Sequence, residues 1–334
     1  MKKIGLIGCG FMGSMHASCY GVISGAELVA VADIRAEKAN EIAAKHPGCK
    51  IYSTGMELIA NADVDVVDIC LPTFLHAEHA IAAMKAGKDV FVEKPVARTV
   101  LEGEEMLKAQ AETGRKVMVG QVIRSWSEYM WLKENYDAGK FGKILYANFA
   151  RLSPIPTWGW ENWLHDEKRS GTAALDLHIH DVDYVRYLMG SEPKLLGSIC
   201  GRNCDGLLEH ISSQFDFNGV AVNVEGGWGY SGSFPFQASF RVVFEKGCAQ
   251  MGANGLHFYW NDGTDETVVI EEEFQGNNEA GGNLSSLGGY YNELKYFVDH
   301  LESGEVMDRA PLDEAVKSLA VVLDEIEAAG GCRK

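Results

Sequence analysis

At 334 residues the chain has room for about two domains, on a soft allowance of ~150 residues each. With 46% apolar and 23% charged residues it can bury a core without disulfide or metal staples, which excludes disorder for the chain as a whole. Thirty basic against 47 acidic residues give a net charge of −17, and no basic run exceeds a pair, so nucleic acid is excluded as a main partner.

No apolar run reaches the ~18 residues of a membrane span, and the apolar part of residues 1–8 is too short for a secretion signal. The eight cysteines are scattered, so the sequence predicts reduced thiols in a cytoplasmic protein. In chain order, residues 4–7 predict a strand ending at Gly8, and 17–22 are helix-compatible. Strand runs recur at 28–32, 64–70, 90–92 and 117–119, with helical stretches at 37–45, 76–86 and 101–112. Short β-rich runs separated by helices mean βαβ units and a doubly wound parallel sheet. After about Val122 the rhythm changes. A helix at 126–136, a strand at 144–150 and a helix at 172–189 precede strand-like segments at 212–217, 220–225, 238–244, 249–252 and 267–270. Residues 276–289 read as a long loop, then 290–301 and 312–326 as helices. The expected class is α/β: an N-terminal Rossmann domain over 1–122 and a C-terminal α+β domain over 123–334 with a large, mostly antiparallel sheet.

Gly8-Cys9-Gly10-Phe11-Met12-Gly13 is G-x-G-x-x-G between a predicted strand and a predicted helix, the setting a dinucleotide loop requires. Gly8 makes the turn, Gly10 admits a pyrophosphate and Gly13 lets the helix pack closely. The diphosphate then meets helix N–H donors and the positive end of the helix dipole. Asp33 ends the second strand, where a carboxylate accepts hydrogen bonds from ribose hydroxyls and repels a 2′-phosphate. That favours NAD; Arg35, able to hold such a phosphate, keeps NADP open.

These residues, with others along the chain, resemble the glucose–fructose oxidoreductase/inositol dehydrogenase family. His16 extends the loop to G-x-G-x-x-G-x-x-H. Leu71-Pro72-Thr73 followed by His76, Glu93-Lys94-Pro95, Gly139 to Lys143, Gly171 to Asp183 and Tyr291-Asn292-Glu293-Leu294 match further family motifs. One departure is His178, where the family usually has glycine. The resemblance implies a cofactor bound by Gly8, Gly10, Phe11, Met12, Gly13, Asp33, Arg35, Leu71, Pro72, Thr73, His76, Glu93, Lys94 and Gln121. It implies Lys94, Asp176 and His180 as the catalytic trio, a cis bond before Pro95, and a homodimer or homotetramer paired through the open sheet face. Val222, Val224 and Trp228 are expected on that face.

Alcohol oxidation needs a general base and hydrogen bonds to the oxygen that loses its proton. His180 is a natural base. Asp176 at i−4 and Asp183 at i+3 share its face on a regular helix, and Asp176 orients the ring or binds a substrate hydroxyl. Lys94 comes from the end of a parallel strand, where open α/β sheets bind ligands, and its ammonium polarises the substrate oxygen. His178 and His180, two apart, do not share a helix face, so no metal site is expected. His16, His76 and His79 are expected to cap or pack near the cofactor, and Arg151 and Gln121 to wall the pocket. Trp158, Trp160 and Trp163 read either as a packed loop or as a platform for a sugar ring. Selectivity is expected in the loops around 153–166 and 275–289.

The leading function is an NAD(P)-dependent dehydrogenase of a sugar, polyol or inositol hydroxyl. The rivals are a redox-assisted glycoside-cleaving enzyme, for which His178 would suit an extra acid/base, and a dinucleotide-sensing regulator.

Overall fold

The computed structural model describes residues 1–271, 274 and 287–330. The chain opens with β1 (Lys2–Ile7), α1 (Phe11–Tyr20), β2 (Ala26–Ala32), α2 (Ala36–Ala43), β3 (Lys50–Tyr52), α3 (Gly55–Asn61) and β4 (Val66–Ile69). It continues with α4 (His76–Lys85), β5 (Asp89–Glu93), α5 (Val100–Thr113) and β6 (Val117–Gly120). These strands form one parallel sheet in the order β3-β2-β1-β4-β5-β6. All four residues of β4 and of β6 are buried, as expected of strands covered on both faces. The order reverses between β1 and β4, and such switch points are where open α/β sheets bind ligands. The sequence reading missed β3 and α3. β3 is a three-residue edge strand with two exposed residues, too short to carry a periodic apolar signal.

Next come α6 (Ser127–Asp137), β7 (Ile144–Pro154), α7 (Glu167–Ser170), a π-helical turn over Ala174–His178 and α8 (Ile179–Met189). Strands β8 (Lys194–Arg202), β9 (Leu208–Phe217), β10 (Val220–Tyr230), β11 (Gln237–Phe244), β12 (Gly247–Gly252), β13 (Gly255–Trp260) and β14 (Asp265–Val268) follow. With β7 they build an eight-stranded sheet in the order β14-β13-β12-β11-β7-β10-β9-β8. Only the β7–β10 pair is parallel. The helical run 174–189 packs against β7, β9 and β10. Val222, Val224 and Trp228, expected on an open face, are buried at 1%, 0% and 3% exposure. Side chains alternate along a strand, and over residues 221–224 of β10 it is Ala221 and Asn223 that are exposed.

Two helices close the described chain, α9 (Gly288–Ser303) and α10 (Leu312–Ala328). The predicted loop at 276–289 lies outside the described residues up to 286. The chain divides into two compact units, Met1–Val122 with Phe274–Lys317, and Ile123–Glu273 with Ser318–Lys334. The segment expected to form one second domain, 123–334, therefore returns part of itself to the first unit. There α9 packs on α1, and Val119 donates its N–H to Ala310 O at 3.1 Å.

Candidate active site

In the first unit β1 runs straight into the glycine loop. Gly8 has φ +92°, and a Cβ there would lie 2.4 Å from Cys70 O, so only glycine fits the turn. A Cβ on Gly13 would lie 1.8 Å from Gly8 O, which is how closely α1 sits on the loop. Gly10, by contrast, is uncrowded, with Arg35 Nη2 the nearest atom to its Cβ position at 3.6 Å. Helix α1 starts there with no side-chain cap and no acidic residue in its first turn to repel an anion at its positive end. At the end of β2, Asp33 Oδ2 accepts the Cys9 N–H at 2.8 Å. Arg35 closes on the same carboxylate, its N–H at 2.8 Å and Nε at 3.2 Å from Oδ1, and Nη2 at 3.2 Å from Oδ2. Thr73 Oγ1 and both amide ends of Gln121 are buried without a hydrogen-bonding partner, just past the C-terminal ends of β4 and β6. Orphaned polar atoms at that edge, beside an open helix N-terminus, fit a bound dinucleotide.

The expected loop residues Leu71 and Pro72 are half-buried, and Thr73 and His76 are buried. His76 braces two turns, its Nδ1 2.7 Å from Pro95 O and its Nε2 2.7 Å from Leu71 O. Burial pushes its pKa down, so the ring is neutral and donates to one of those carbonyls. His79 is likewise turned inward, onto Leu75 O at 2.9 Å. The Lys94–Pro95 bond is cis. Lys94 itself is half-buried at the end of β5. Glu93, expected at the cofactor, is instead 4% exposed: Oε2 accepts the Lys94 N–H at 3.0 Å and Oε1 lies 3.0 Å from His16 Nε2. His16 is wholly buried, so it supports the β5 end from within rather than lining a surface.

In the second unit, Asp176 lies in the π turn and His180 in the first turn of α8. Between residues 172 and 186 only Asp176, Leu177 and His180 are not fully buried. A π turn inside a helix often marks a functional position. Asp183, expected to share the face of His180, does not serve it. Its carboxylate takes Arg124 Nε and Nη2, each at 2.7 Å, and the Ser318 hydroxyl at 2.7 Å, all buried. Arg151, expected as a pocket wall, is 1% exposed and paired with Asp181 through contacts of 2.7 and 3.1 Å. His178 is also no pocket group. Its Nε2 meets Glu325 Oε1 at 2.7 Å, and β10 approaches so closely that a Cβ on Gly226 would lie 2.6 Å from its own. These bonds leave the run anchored, with Asp176 and His180 as the accessible polar residues between 172 and 186.

Residues 2–121 match the oxidoreductase-family model for the NAD-binding Rossmann fold of the GFO/IDH/MocA group, and 129–250 match its C-terminal domain. The chain is 30% identical over 262 residues to inositol 2-dehydrogenase 4 of Saccharopolyspora erythraea, covering 75% of this chain and 74% of that protein. It belongs to the GFO/IDH/MocA oxidoreductase family. Residues 2–121 are thus an NAD-binding Rossmann domain. Inositol 2-dehydrogenase 3 of the same organism is 34% identical over 211 residues, 63% of this chain and 60% of that protein's length. In fold, the chain matches levoglucosan dehydrogenase in complex with NADH, with TM-score 0.85 and 23% identity over 98% of this chain and 97% of that one. Among the described residues no helix is long and apolar enough to cross a membrane.

Reading the sequence for this family did not find Arg124, Asp68, Glu325 or the burial of Glu293. Only Glu293 lay in a motif that was singled out. The others carry no local signal, because each gains its role from a partner 52 to 147 residues away. Trp158 is 47% exposed, and Trp160 and Trp163 are half-buried. The selectivity loop at 275–289 lies outside the described residues up to 286.

Proposed function

We propose that this GFO/IDH/MocA member is an NAD-dependent dehydrogenase moving a hydride between a hydroxyl of a sugar, polyol or inositol and nicotinamide. The observation that carries it is that one chain holds a complete dinucleotide loop and a lysine at a strand end in its first unit, and a half-buried histidine on an anchored helix in its second. NAD, when bound, supplies the hydride acceptor. His180 removes the hydroxyl proton, Asp176 orients the ring or a substrate hydroxyl, and Lys94 stabilises the developing alkoxide with its charge. In this reading Gly8, Gly10, Phe11, Met12, Gly13 and Asp33 hold the adenosine diphosphate half, with Thr73 and Gln121 offering polar contacts. NAD is favoured over NADP because Asp33 repels a 2′-phosphate and its carboxylate already neutralises Arg35. Residues 123–334 are read as carrying substrate binding and oligomerisation. Tyr146 and Ile199, 51% and 71% exposed on strands of the large sheet, support a homodimer or homotetramer, and the scattered cysteines support a cytoplasmic location. Light scattering at the 36.6 kDa of one chain would reject it.

The test is a sugar and polyol panel read by NADH formation. On a substrate so found, His180→Ala lowers kcat by about two to four orders of magnitude, the usual value of a general base, with little change in NAD affinity. If the acidic limb of kcat/KM survives in His180→Ala and vanishes in Lys94→Ala, the base is Lys94. Glycoside cleavage is not favoured, since the relatives compared are dehydrogenases and His178 is turned into the core. It would show as turnover without accumulating NADH.

A further inference from the structure

The first unit buries more acid than its base can neutralise. His16 from α1 sits among Asp68 of β4, Glu93 of β5 and Glu293 of α9, with all four residues between 0% and 4% exposed. Its Nδ1 donates to Asp68 Oδ2 at 2.8 Å. Its Nε2 is 3.0 Å from Glu93 Oε1, an ion-pair contact not aligned as a hydrogen bond. One ligating atom each from His16, Glu93 and Glu293 lies within 4.8 Å of the others. The remaining titratable neighbours are Tyr20 and Cys19 from α1, Cys70 after β4, and Arg309 after α9. The rings of Phe91 and Tyr290 flank the imidazole at 5.5 and 6.1 Å.

A ring with a carboxylate at each nitrogen is best satisfied with both nitrogens protonated. One imidazolium cannot balance three buried carboxylates, so a further proton must be held. The hydrogen bonds place it. Asp68 Oδ2 accepts from His16 and from the Tyr20 hydroxyl at 2.9 Å, and Glu93 Oε2 accepts the Lys94 N–H. Both oxygens of Glu293 are buried without a hydrogen bond. The carboxyl with no donor is the one least able to carry charge. Burial, with Glu93 alongside, holds the Glu293 pKa well above the usual 4.5. Burial works against a charge on His16, but Asp68 and Cys70 outweigh it and hold the ring well above 6.5.

We propose that His16 is a positioning residue: a charged imidazolium that fixes Glu93, and through the Lys94 N–H the turn that presents Lys94, while Glu293 stays a neutral acid. It rests on the reading of Lys94 as a reacting group and extends it inward.

The experiment starts from the full chain with imidazole-¹⁵N histidine, in which His16→Gln identifies the His16 signals. Two protonated ring nitrogens on His16 at pH 7 to 8, unchanged by EDTA, are expected. A neutral ring at that pH overturns the proposal. So does one equivalent of a tightly held divalent metal by elemental analysis, which would make His16, Glu93 and Glu293 a cation site. The second arm is kinetic. His16→Gln lowers kcat about a hundredfold, the scale of a misplacement of ~1 Å, and shifts the pH profile of kcat, while the Kd for NAD holds. Should that variant not fold, Glu93→Gln, which keeps an acceptor for the Lys94 N–H, is read the same way. Lys94→Ala separates the two ideas. If it is inactive while a folded, NAD-binding His16→Gln or Glu93→Gln turns over normally with an unmoved pH profile, the positioning role is wrong. If Lys94→Ala keeps full turnover, the reading of Lys94 is wrong, and His16 has no reacting group to position even where its ring is charged.

Discussion

The turn at 93–95 and the helical run at 174–189 each present an expected reactive side chain, yet they are anchored by opposite electrostatic arrangements. Around the run, charges are matched one to one: Arg124 with Asp183 and Arg151 with Asp181. Behind the turn, one imidazole stands among three carboxyls. The first arrangement is intolerant of losing a partner. The second depends on protons and tolerates the loss of its excess acid. Burial alone does not tell these apart; the hydrogen-bond donors at each carboxylate do.

The largest expected effect lies in the run. Asp183→Ala leaves the Arg124 guanidinium buried without its counter-charge and lowers stability by about 3–5 kcal/mol in denaturant unfolding. Replacing the pair by apolar residues, Arg124→Met with Asp183→Leu, recovers most of that loss. A cost for the single variant no greater than that of a surface ion pair, about 1 kcal/mol, would break the contrast.

A smaller effect is expected from pH. His16 has a raised pKa in the folded state, so its stabilisation is complete below 6.5 and is lost as pH rises through the raised value. Glu293 acts in the same direction. The folded chain keeps a proton that the unfolded chain releases near 4.5, so stability declines as pH rises above that point. His76, with its pKa lowered by burial, opposes them only below 6.5, where the unfolded chain gains a proton first. The melting temperature therefore falls between pH 6.5 and 9 in the native chain, and Glu293→Gln flattens that fall. An unchanged slope in the variant would mean that Glu293 is already ionised.

The smallest effect is chemical. Burial pushes the Cys9 and Cys19 thiols up to about 12 and the Cys70 thiol well above 9, whereas Cys204 is exposed. Brief alkylation at pH 8, read by peptide mass spectrometry, labels Cys204 and spares those three without changing stability. Labelling of Cys70 at a comparable rate would mean that the cluster opens readily.

The amino-acid sequence by itself determined the glycine loop, the strand–helix alternation of the parallel sheet, Asp33 at the end of β2 and Lys94 before a proline. Each is a local matter: a turn that only Gly8 can make, an apolar run, a spacing along one strand or helix. It also singled out His180. It misplaced Asp183, Arg151, His178 and the inward face of β10, because spacing along a helix or a strand places a residue on one face without saying what lies opposite. Only the tertiary structure decided that Arg124 and Ser318 claim Asp183, that Glu325 claims His178, and that α9 brings Glu293 to His16 from 277 residues away. A buried charge is settled by the partner that reaches it, and these partners come from segments whose own sequences carry no sign of the meeting.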